Sequence, residues 1–452
     1  MKHNIRDVII IGLGITGAAE LKIISQYTNA QKITVLEKYK RAATVNSNAL
    51  NNAQTSHDGS TETNYSLEHA LDVKWPADML RNYLEQIKDP TLFQITNRSS
   101  LALGDDKVAR LKQRYEEFKP HYSDLSFYDR RSDLIKIEPN VIKGRNDNEA
   151  VAMMVSNKGY AVNYQRAAEY MIDDAIATKK DIEIYTSTEV GKVKYENGIF
   201  TLQTTKGEMR SRFLLVAAGA YSLKFAKELG YGEEFTIFPV AGSFIVSPYV
   251  LYGKVYPMAE SGNPWAEIHG DPDILDPRIT RWGPSTKPIP MMERHHYKTI
   301  KDYLNMGILT WPGIKSSYKV IRDEKLLGYL LKNELYDVPG IGMYLFHKQV
   351  QRIVPLMERH ELQLRRGAGG LRPQLVNMIL GKLIMGDSLI QGINSIFNTT
   401  PSPGASVCMG NGFRDARFFA QSTGFDFDEA RMLADLNMTP RNIKYEAMHS
   451  AV

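Results

Sequence analysis

The most constraining feature of the sequence is a glycine-rich turn close to its start. Gly12, Gly14 and Gly17 have the spacing G-x-G-x-x-G. They follow an apolar run, Asp7–Ile11, that is typical of a buried parallel strand, and they precede a helical pattern over Ala18–Tyr27. In such a unit the glycines permit a tight turn, a close backbone approach to a pyrophosphate, and packing of the helix on the strand. The turn therefore predicts a dinucleotide whose phosphates bind at the helix N-terminus.

An acidic residue at the end of the next strand supports this prediction. The strand is predicted over Lys32–Leu36, and Glu37 follows it, 20 residues after Gly17. A carboxylate at this position accepts hydrogen bonds from ribose hydroxyls and repels a 2′-phosphate, which disfavours NADP. The neighbouring residues expected to contact the same nucleotide are Ile15, Thr16 and Lys38.

Two later segments favour FAD over NAD. An apolar strand over residues 213–216 runs into Ala217, Ala218 and Gly219, similar to the second signature of flavoproteins of the glutathione-reductase type. Val190, on a preceding strand, is expected to present backbone groups to the adenine. Residues 401–406, Pro-Ser-Pro-Gly-Ala-Ser, predict a final helix that begins near Gly404, whose free N–H groups would stabilise negative charge on the reduced flavin. The alternatives are an ordinary buried strand and an ordinary capped helix.

A long polar segment, residues 42–66, is rich in Asn, Ser and Thr and has no regular period. Loops of this length are usually functional, and this one follows the ribose carboxylate directly. We expect it to run beside the cofactor, with Ser47, Asn52 and Thr55 as contacts. A solvated surface loop is the alternative.

The nucleotide-binding pattern is interrupted twice along the 452 residues, which are too many for one simple core. We predict an α/β fold with two domains. An FAD-binding Rossmann-like domain of the glutathione-reductase type comprises residues 1–75, 146–240 and 345–452. A substrate domain with a β-sheet and helices comprises residues 76–145 and 241–344. Residues 68–145 are expected to be mainly helical.

Composition excludes several classes of function. The net charge of +5 is spread along the chain and not gathered in a basic arm, so nucleic acid is not an expected partner. The start of the chain does not read as a signal peptide, and no segment approaches the roughly 20 apolar residues of a membrane-spanning helix. The single cysteine, Cys408, fits a reducing cytoplasm. Its position invites covalent attachment of flavin, and a buried helix cysteine is the alternative. No group of side chains has the spacing of a metal site.

Several motifs together resemble malate:quinone oxidoreductase, a family of the D-amino-acid-oxidase-like superfamily of FAD enzymes. They are GLGITG with VLEK, NNAQTSHDGSTETNYS, IHGDPDILDPRITRWGPSTKPIP, GLRPQ and SPGASVC, and they extend from residue 7 to about residue 408. The resemblance implies FAD-dependent oxidation of (S)-malate to oxaloacetate, a reaction of the tricarboxylic acid cycle, with electrons passed to a membrane quinone. It also implies a cytoplasmic protein that is peripheral on the inner face of the cell membrane.

Oxidation of a 2-hydroxy acid needs a hydride acceptor, a base for the hydroxyl proton and cations for the carboxylates. Histidine suits the base, and arginine pairs with carboxylates through two donors. We assign the base to His269 and a flavin or substrate contact to His57, with the reverse assignment left open. Arg281 and Arg372 are the expected carboxylate ligands, and Gln54 is a secondary candidate. The remaining residues expected near the flavin are Gly370, Ala405 and Ser406.

Two other functions remain open. One is FAD-dependent oxidation of another 2-hydroxy acid, such as L-2-hydroxyglutarate, or of an amino acid. The other is a non-catalytic flavin-binding protein. The sequence does not identify a quinone site. Two amphipathic segments, His296–Met306 and Gly328–Glu334, are candidates for contact with a membrane surface or for packing on a core.

Overall fold

Two β-sheets and the helices around them form the framework of the protein. The computed structural model describes residues 5–258, 267–322, 324–384, 388–399 and 403–440. No helix in these ranges is both long and apolar enough to span a bilayer.

The strands are β1 (Arg6–Ile11), β2 (Lys32–Leu36), β3 (Phe93–Leu103), β4 (Leu125–Tyr128), β5 (Val151–Val162), β6 (Asp181–Tyr185), β7 (Val190–Glu196), β8 (Ile199–Thr204), β9 (Gly207–Val216), β10 (Phe235–Pro248), β11 (Lys254–Pro257), β12 (His269–Pro272), β13 (Ile279–Pro288), β14 (Gln363–Leu364), β15 (Leu371–Asn377), β16 (Lys382–Leu383), β17 (Leu389–Gly392) and β18 (Ser395–Asn398).

The α-helices are α1 (Ile15–Tyr27), α2 (Leu67–Glu85), α3 (Asp105–Phe118), α4 (Arg131–Ile137), α5 (Pro139–Ile142), α6 (Tyr164–Ala177), α7 (Ser222–Glu228), α8 (Ile300–Tyr303), α9 (Trp311–Ile321), α10 (Glu324–Glu334), α11 (Gly342–Ile353), α12 (Cys408–Thr423) and α13 (Glu429–Asp435). Short 3₁₀ turns occupy Gly219–Tyr221, Tyr297–Thr299, Leu335–Asp337 and Arg359–Glu361, and a π-helical turn occupies Leu304–Ile308.

The first sheet has the strand order β17-β18-β9-β1-β2-β6, with β7 and β8 added to β9 as an antiparallel extension. β1 pairs in parallel with both β2 and β9. Val8 and Ile10 face one core, with α1, α6 and α12, whereas Ile9 and Ile11 face a second core on the other side of the sheet. Because both faces are covered, β1 is apolar at successive positions, as expected of a central parallel strand.

Helix α1 is buried on almost every side. Ala18, Ala19, Leu21, Ile23 and Ile24 have no exposed surface. The helix lies between the first sheet and helices α6 and α12, so it has no solvent face that polar residues would occupy. This burial fixes its N-terminus against the carboxyl end of β1.

The second sheet has the order β16-β15-β10-β13-β12-β11-β3-β5-β4, and β14 also pairs with β10. Most of its pairings are antiparallel, including β10 with β13 and with β15. The pairing of β10 with β15 sets Val240 opposite Arg372, next to the first sheet. The mixed α/β class, with a mainly parallel first sheet and a second sheet flanked by helices, confirms the predicted fold class.

The first sheet takes its strands from residues 6–36, 181–216 and 389–398. The predicted domain boundaries remain a prediction, but β5 and β15 lie in the second sheet although both fall within the predicted FAD-binding segments. Short apolar runs do not reveal which partner strand will cover them, so sequence reasoning could not assign these two strands to a sheet.

Two predicted elements are corrected, and a third is refined. The segment 68–145 is mainly helical, as predicted, with α2, α3, α4 and α5, but β3 also runs through it and pairs with the distant β5. The predicted helix His296–Met306 is broken into short turns, with a left-handed Gly307 at φ +87°. The last long helix begins at Cys408 and not near Gly404, because residues 403–407 form a turn.

Candidate active site

The glycine turn closes on the end of β9 and leaves no room for side chains. Gly12 has φ +96°, and a Cβ added there would lie 2.5 Å from the carbonyl oxygen of Ala217. A Cβ on Gly17 would lie 2.1 Å from the carbonyl oxygen of Gly12. The turn therefore leads directly into α1, whose first N–H groups lack acceptors within the helix. This arrangement is suited to the pyrophosphate of a dinucleotide.

Glu37 is held at the end of β2 by two backbone donors. The N–H of Leu13 donates to Oε2 at 2.9 Å, and the N–H of Tyr39 donates to Oε1 at 2.8 Å. Burial raises the pKa of Glu37, and the two N–H donors oppose that effect. Ribose hydroxyls that donate to the carboxylate would stabilise its charge further.

A cavity of about 310 Å³ joins the glycine turn to the second sheet. Its volume lies within the range of small-molecule and cofactor sites. The predicted cofactor residues on its lining are Gly12, Gly14, Ile15, Thr16, Glu37, Lys38, Ser47, Asn52, Thr55, Val190, Ala218, Gly219, Gly370, Gly404, Ala405 and Ser406. Gly17 is absent from the lining because it packs against the turn itself.

Two predicted cofactor contacts at the nucleotide end already have protein partners. The Oγ of Ser47 accepts a hydrogen bond from the N–H of Ile15 at 2.9 Å, so it caps α1. Lys38 Nζ lies 2.9 Å from Oε1 of Glu293 and 4.8 Å from the ring centre of Tyr221. Lys38 thus ties the end of β2 to the segment that follows β13.

The polar loop of residues 42–66 forms a packed wall between the two sheets. Asn52 donates to the carbonyl oxygen of Asn46 at 3.0 Å, and Asn46 Oδ1 accepts from the N–H of Leu371 at 3.0 Å. A Cβ on Gly370 would lie 2.8 Å from the same Oδ1 atom. The amides that give this segment its unusual composition therefore hold its shape and attach it to β15.

His57 lies on the cavity lining, and its ring nitrogen Nδ1 is hydrogen-bonded to the protein. Its Nδ1 forms a hydrogen bond with Oε1 of Glu62 at 2.6 Å, and Glu62 lies 3.6 Å from the guanidinium of buried Arg98. Burial would raise the pKa of Glu62, but Arg98 and His57 outweigh it and lower that pKa to about 2. An ionised Glu62 accepts a hydrogen bond from Nδ1–H of His57, and in this tautomer Nε2 is the ring nitrogen that can accept a proton.

The backbone of His57 is fixed by the turn at 403–407. Its N–H donates to Ser406 Oγ at 2.9 Å. Tyr164 lies beside this contact, where its hydroxyl donates to the carbonyl oxygen of Thr55 at 2.7 Å. Ser406, in the predicted helix start at 401–406, thus helps to position His57. The first two residues of that segment, Pro401 and Ser402, lie outside the described ranges.

His269 is buried and lies behind the lining of the cavity. Its Nδ1 donates to the carbonyl oxygen of Glu267 at 3.1 Å, and its ring stacks on Tyr256 with the centres 4.2 Å apart. Burial lowers the pKa of His269 to about 4, although Asp271 opposes this. Its buried Nε2 has no hydrogen-bond partner in the described part of the chain. His269 is therefore a neutral ring with one unused acceptor.

Arg281 is also buried, but the two terminal nitrogens of its guanidinium have partners in the protein. The guanidinium donates to the carbonyl oxygens of Ala49 and Asn52 at 3.2 and 3.0 Å, and it lies 3.5 Å from a carboxylate oxygen of Asp271. It is not on the cavity lining. These contacts hold the polar loop against β13, so the structure does not bring Arg281 to the position expected of a substrate ligand.

Arg372 is on the cavity lining. Within the described ranges its guanidinium makes no hydrogen bond or ion pair with the protein. Burial lowers the pKa of Arg372, and the nearby side chains of Tyr329, Tyr65 and Tyr256 oppose that effect. An arginine in this setting can pair with an incoming carboxylate without breaking an existing contact.

Gln54 lies on the cavity lining, but its side-chain amide is hydrogen-bonded to the protein backbone. It has no exposed surface and a left-handed backbone, with φ +51°. Its amide donates to the carbonyl oxygen of Ala49 at 2.9 Å and accepts from the N–H of Ile274 at 2.9 Å. Gln54 therefore joins the polar loop to the connection that follows β12.

Glu62, Arg98 and Tyr256 are site residues that sequence reasoning missed. Glu62 follows His57 by five residues in the polar loop, so a search for a carboxylate near each candidate histidine would have found it. Arg98 and Tyr256 lie on β3 and β11, and nothing in the local sequence links them to the loop. No group of His, Cys, Asp and Glu side chains suited to a metal ion occurs among the residues that the structure describes.

Comparison with known proteins gives a consistent result. The family model for malate:quinone oxidoreductase matches residues 4–280. A protein named "Probable malate:quinone oxidoreductase" from Campylobacter jejuni is 34% identical over 443 residues, which cover 95% of this chain and 98% of the relative. The malate:quinone oxidoreductase of Helicobacter pylori strain J99 is 32% identical over 444 residues, with the same coverage.

Solved structures share the fold at low identity. The L-α-glycerophosphate oxidase of Mycoplasma pneumoniae, solved with FAD bound, has a TM-score of 0.65 at 16% identity and covers 92% of this chain and 95% of its own. The glycine oxidase of Geobacillus kaustophilus has a TM-score of 0.63 at 15% identity, covering 97% of this chain and all of its own. With the sequence relatives, these findings establish that the chain belongs to the malate:quinone oxidoreductase family.

Proposed function

We propose that the protein is an FAD-dependent dehydrogenase that oxidises (S)-malate to oxaloacetate and passes the electrons to a quinone. The observation that carries this proposal is that one cavity is lined by Glu37 and the glycine turn and also by His57 and Arg372. The first group suits the nucleotide of FAD. The second supplies the base and the cation that oxidation of a hydroxy acid requires.

The residues of the cavity fit FAD. Gly12 and Gly14 would admit the pyrophosphate, Glu37 would accept from the ribose, and Ala405 and Ser406 would lie near the flavin ring. When bound, FAD supplies N5 as the acceptor of the hydride from C2 of malate. The tight wall at Gly370 would keep the substrate end of the cavity narrow and limit the access of water.

His57 is the proposed base. It would take the hydroxyl proton of malate at Nε2, and the imidazolium that forms would gain stabilisation from Glu62, which is 2.6 Å from Nδ1. His269 is less suited to this role because it lies behind the lining and stacks on Tyr256. We propose His269 as a neutral support for the substrate side of the site, which reverses the assignment favoured by the sequence.

Arg372 is the proposed ligand of a malate carboxylate. Its planar guanidinium can donate two parallel hydrogen bonds to a carboxylate and thereby orient C2. Arg281 then has a different task from the one predicted. It holds the polar loop, on which His57 lies, against the second sheet.

The direct test is the spectrum of the purified protein under anaerobic conditions. We expect a yellow protein whose flavin absorbance is bleached by (S)-malate and restored by a short-chain quinone. (R)-malate, L-2-hydroxyglutarate and amino acids serve as controls and should bleach far more slowly. Absence of flavin, or bleaching by one of the control acids in preference to (S)-malate, would contradict the proposal.

A further inference from the structure

Helices α9 and α10 present an apolar outer face. Trp311, Ile314 and Tyr318 lie three and four residues apart on one side of α9 and are 76%, 47% and 61% exposed. Leu327 and Leu331 are four residues apart on α10 and are 37% and 57% exposed. We name these five side chains the α9–α10 face. Grouped apolar exposure of this kind marks an interaction surface, whereas isolated exposed side chains do not.

The charges beside the α9 part of this face are basic, whereas the sequence of α10 contains two lysines and two glutamates. Lys315 and Lys319 are exposed on α9, which contains no acidic residue, and exposed Arg322 follows the helix. Trp and Tyr favour the headgroup level of a bilayer, and lysines favour anionic lipid. A second copy of the same face would bring like charges together across a twofold axis. The charge pattern of α9 and Arg322 therefore favours an anionic lipid surface as the partner.

A neighbouring turn extends the face. Ile379 and Leu380 are 78% and 59% exposed at the tip between β15 and β16. A Cβ on Gly381 would lie 2.5 Å from Cδ of Lys319, so this tip adjoins α9. Two exposed aliphatic side chains thus lie next to the basic edge of the helix.

The inner sides of the same helices cover the wall of the cavity. Val320 and Leu330 are buried in one cluster with Val240, which lines the cavity. Asn333 Oδ1 accepts from the N–H of Thr286 at 3.1 Å, and Thr286 also lines the cavity. One layer of helix therefore separates the α9–α10 face from the proposed active site.

We propose that the α9–α10 face docks the protein on an anionic lipid bilayer and so brings the cavity close to a quinone dissolved in the lipid. The part that concerns the quinone rests on the proposed function. The docking itself rests only on the exposed apolar side chains and the lysines beside them.

The test compares the flavin-loaded full-length protein with a triple variant, Trp311→Ser with Ile314→Ser and Leu331→Ser. Ile176→Ser is the matched control, because Ile176 is a 54% exposed helical isoleucine on α6. Co-sedimentation is measured with vesicles of phosphatidylglycerol and phosphatidylcholine and with vesicles of phosphatidylcholine alone. We expect the triple variant to partition at least about tenfold more weakly than the wild type, and the control to bind normally. Binding of the wild type should fall without phosphatidylglycerol and in high salt.

Activity measurements distinguish the docking proposal from the proposed function. We expect malate oxidation with a soluble dye to be unchanged in the triple variant, while reduction of a quinone embedded in the vesicles falls severalfold. Equal vesicle binding by the wild type and the triple variant would overturn the docking proposal. So would a wild-type dimer in sedimentation equilibrium that the triple variant lacks. If none of the proteins reduces the dye with malate, the proposed function is contradicted. The vesicle-binding result would still test the docking proposal.

Discussion

At the scale of single residues, the site contains two arginines with different surroundings. Arg281 donates to loop carbonyl oxygens and lies near Asp271, so its charge supports the fold. Arg372 lies on the cavity lining without such contacts in the described ranges. Both arginines lie in sequence motifs, and the motifs predict the same role for both, as ligands of a substrate carboxylate. Only the tertiary partners distinguish a structural arginine from one that can receive a substrate.

We predict that Arg372→Met and Arg281→Met will have different effects. Arg372→Met should raise the KM for malate about 10- to 100-fold, because a charge-assisted pair is lost, with the flavin still bound. Arg281→Met should lower the free energy of unfolding by about 3 kcal/mol, because buried loop contacts are broken. Steady-state kinetics, flavin content and urea unfolding measure these effects. Equal changes in KM for both variants would contradict the division of roles.

The pairing of His57 with Glu62 gives a second prediction. His57→Ala should slow flavin reduction by malate about 100-fold or more, and Glu62→Gln should lower kcat about tenfold with little change in KM, because the ring loses its ionised partner. Stopped-flow reduction of the flavin measures both rates. His269→Ala is the comparison: if it slows reduction more than His57→Ala does, the base is His269, as the sequence favoured.

At the scale of elements, prediction from sequence succeeds where the signal is local. The strand, turn and helix around Gly12 lie within one short stretch, so their order and ligand class can be read directly. The helix starts at Ile15, three residues before the predicted start. β15 pairs with β10, about 130 residues earlier in the chain, and no local pattern records that pairing. The correct sheet for β5 and β15 therefore depends on contacts that only the folded chain provides.

A buried carboxylate links two elements and makes stability depend on pH. Glu138, between α4 and α5, is buried and accepts hydrogen bonds from the N–H groups of Tyr252 and Gly253, which precede β11. Burial raises the pKa of Glu138 to about 7, although the two donors oppose this. The folded state thus retains a proton that the unfolded state releases near pH 4.5.

We predict that this group lowers stability as the pH rises from about 4.5 to about 7, by up to about 3 kcal/mol. Below this window both states are protonated, so the favourable contribution of the protonated group is fully present. Glu138→Gln should remove this part of the pH dependence. Urea unfolding of the two proteins across the window measures it, and parallel curves for the wild type and the variant would show that Glu138 ionises normally.

At the scale of the whole molecule, the cavity is shared by the two sheets. The glycine turn and Glu37 belong to the first sheet, whereas Val240, Thr286 and Arg372 belong to the second. A ligand that filled only the nucleotide end would contact the first sheet, and a complete dinucleotide would contact both sheets. The resemblance predicted the family and FAD correctly. The motifs alone did not reveal how the polar loop of residues 42–66 packs between the two sheets.

We predict that FAD and ADP will stabilise the flavin-free protein differently. Both should bind at the glycine turn, but FAD alone should protect the amides of β10, β13 and β15 from hydrogen exchange. At about 1,000 times its Kd, FAD should add about 4 kcal/mol to the free energy of unfolding. Hydrogen exchange with mass spectrometry measures the protection. Equal protection of the second sheet by ADP would contradict a cofactor site shared by both sheets.

The only cysteine of the chain provides an experimental opportunity. Cys408 is the first residue of α12 and is fully buried in the core that also contains α1, and burial raises the pKa of its thiol to about 12. A thiol that is both inaccessible and protonated reacts slowly with maleimides and nitroxide reagents. The native protein should therefore take up little label at Cys408 in site-directed labelling. A cysteine placed at Ile314 or Ile176 can carry a spin label or fluorophore without removal of Cys408, and its environment can be followed during turnover.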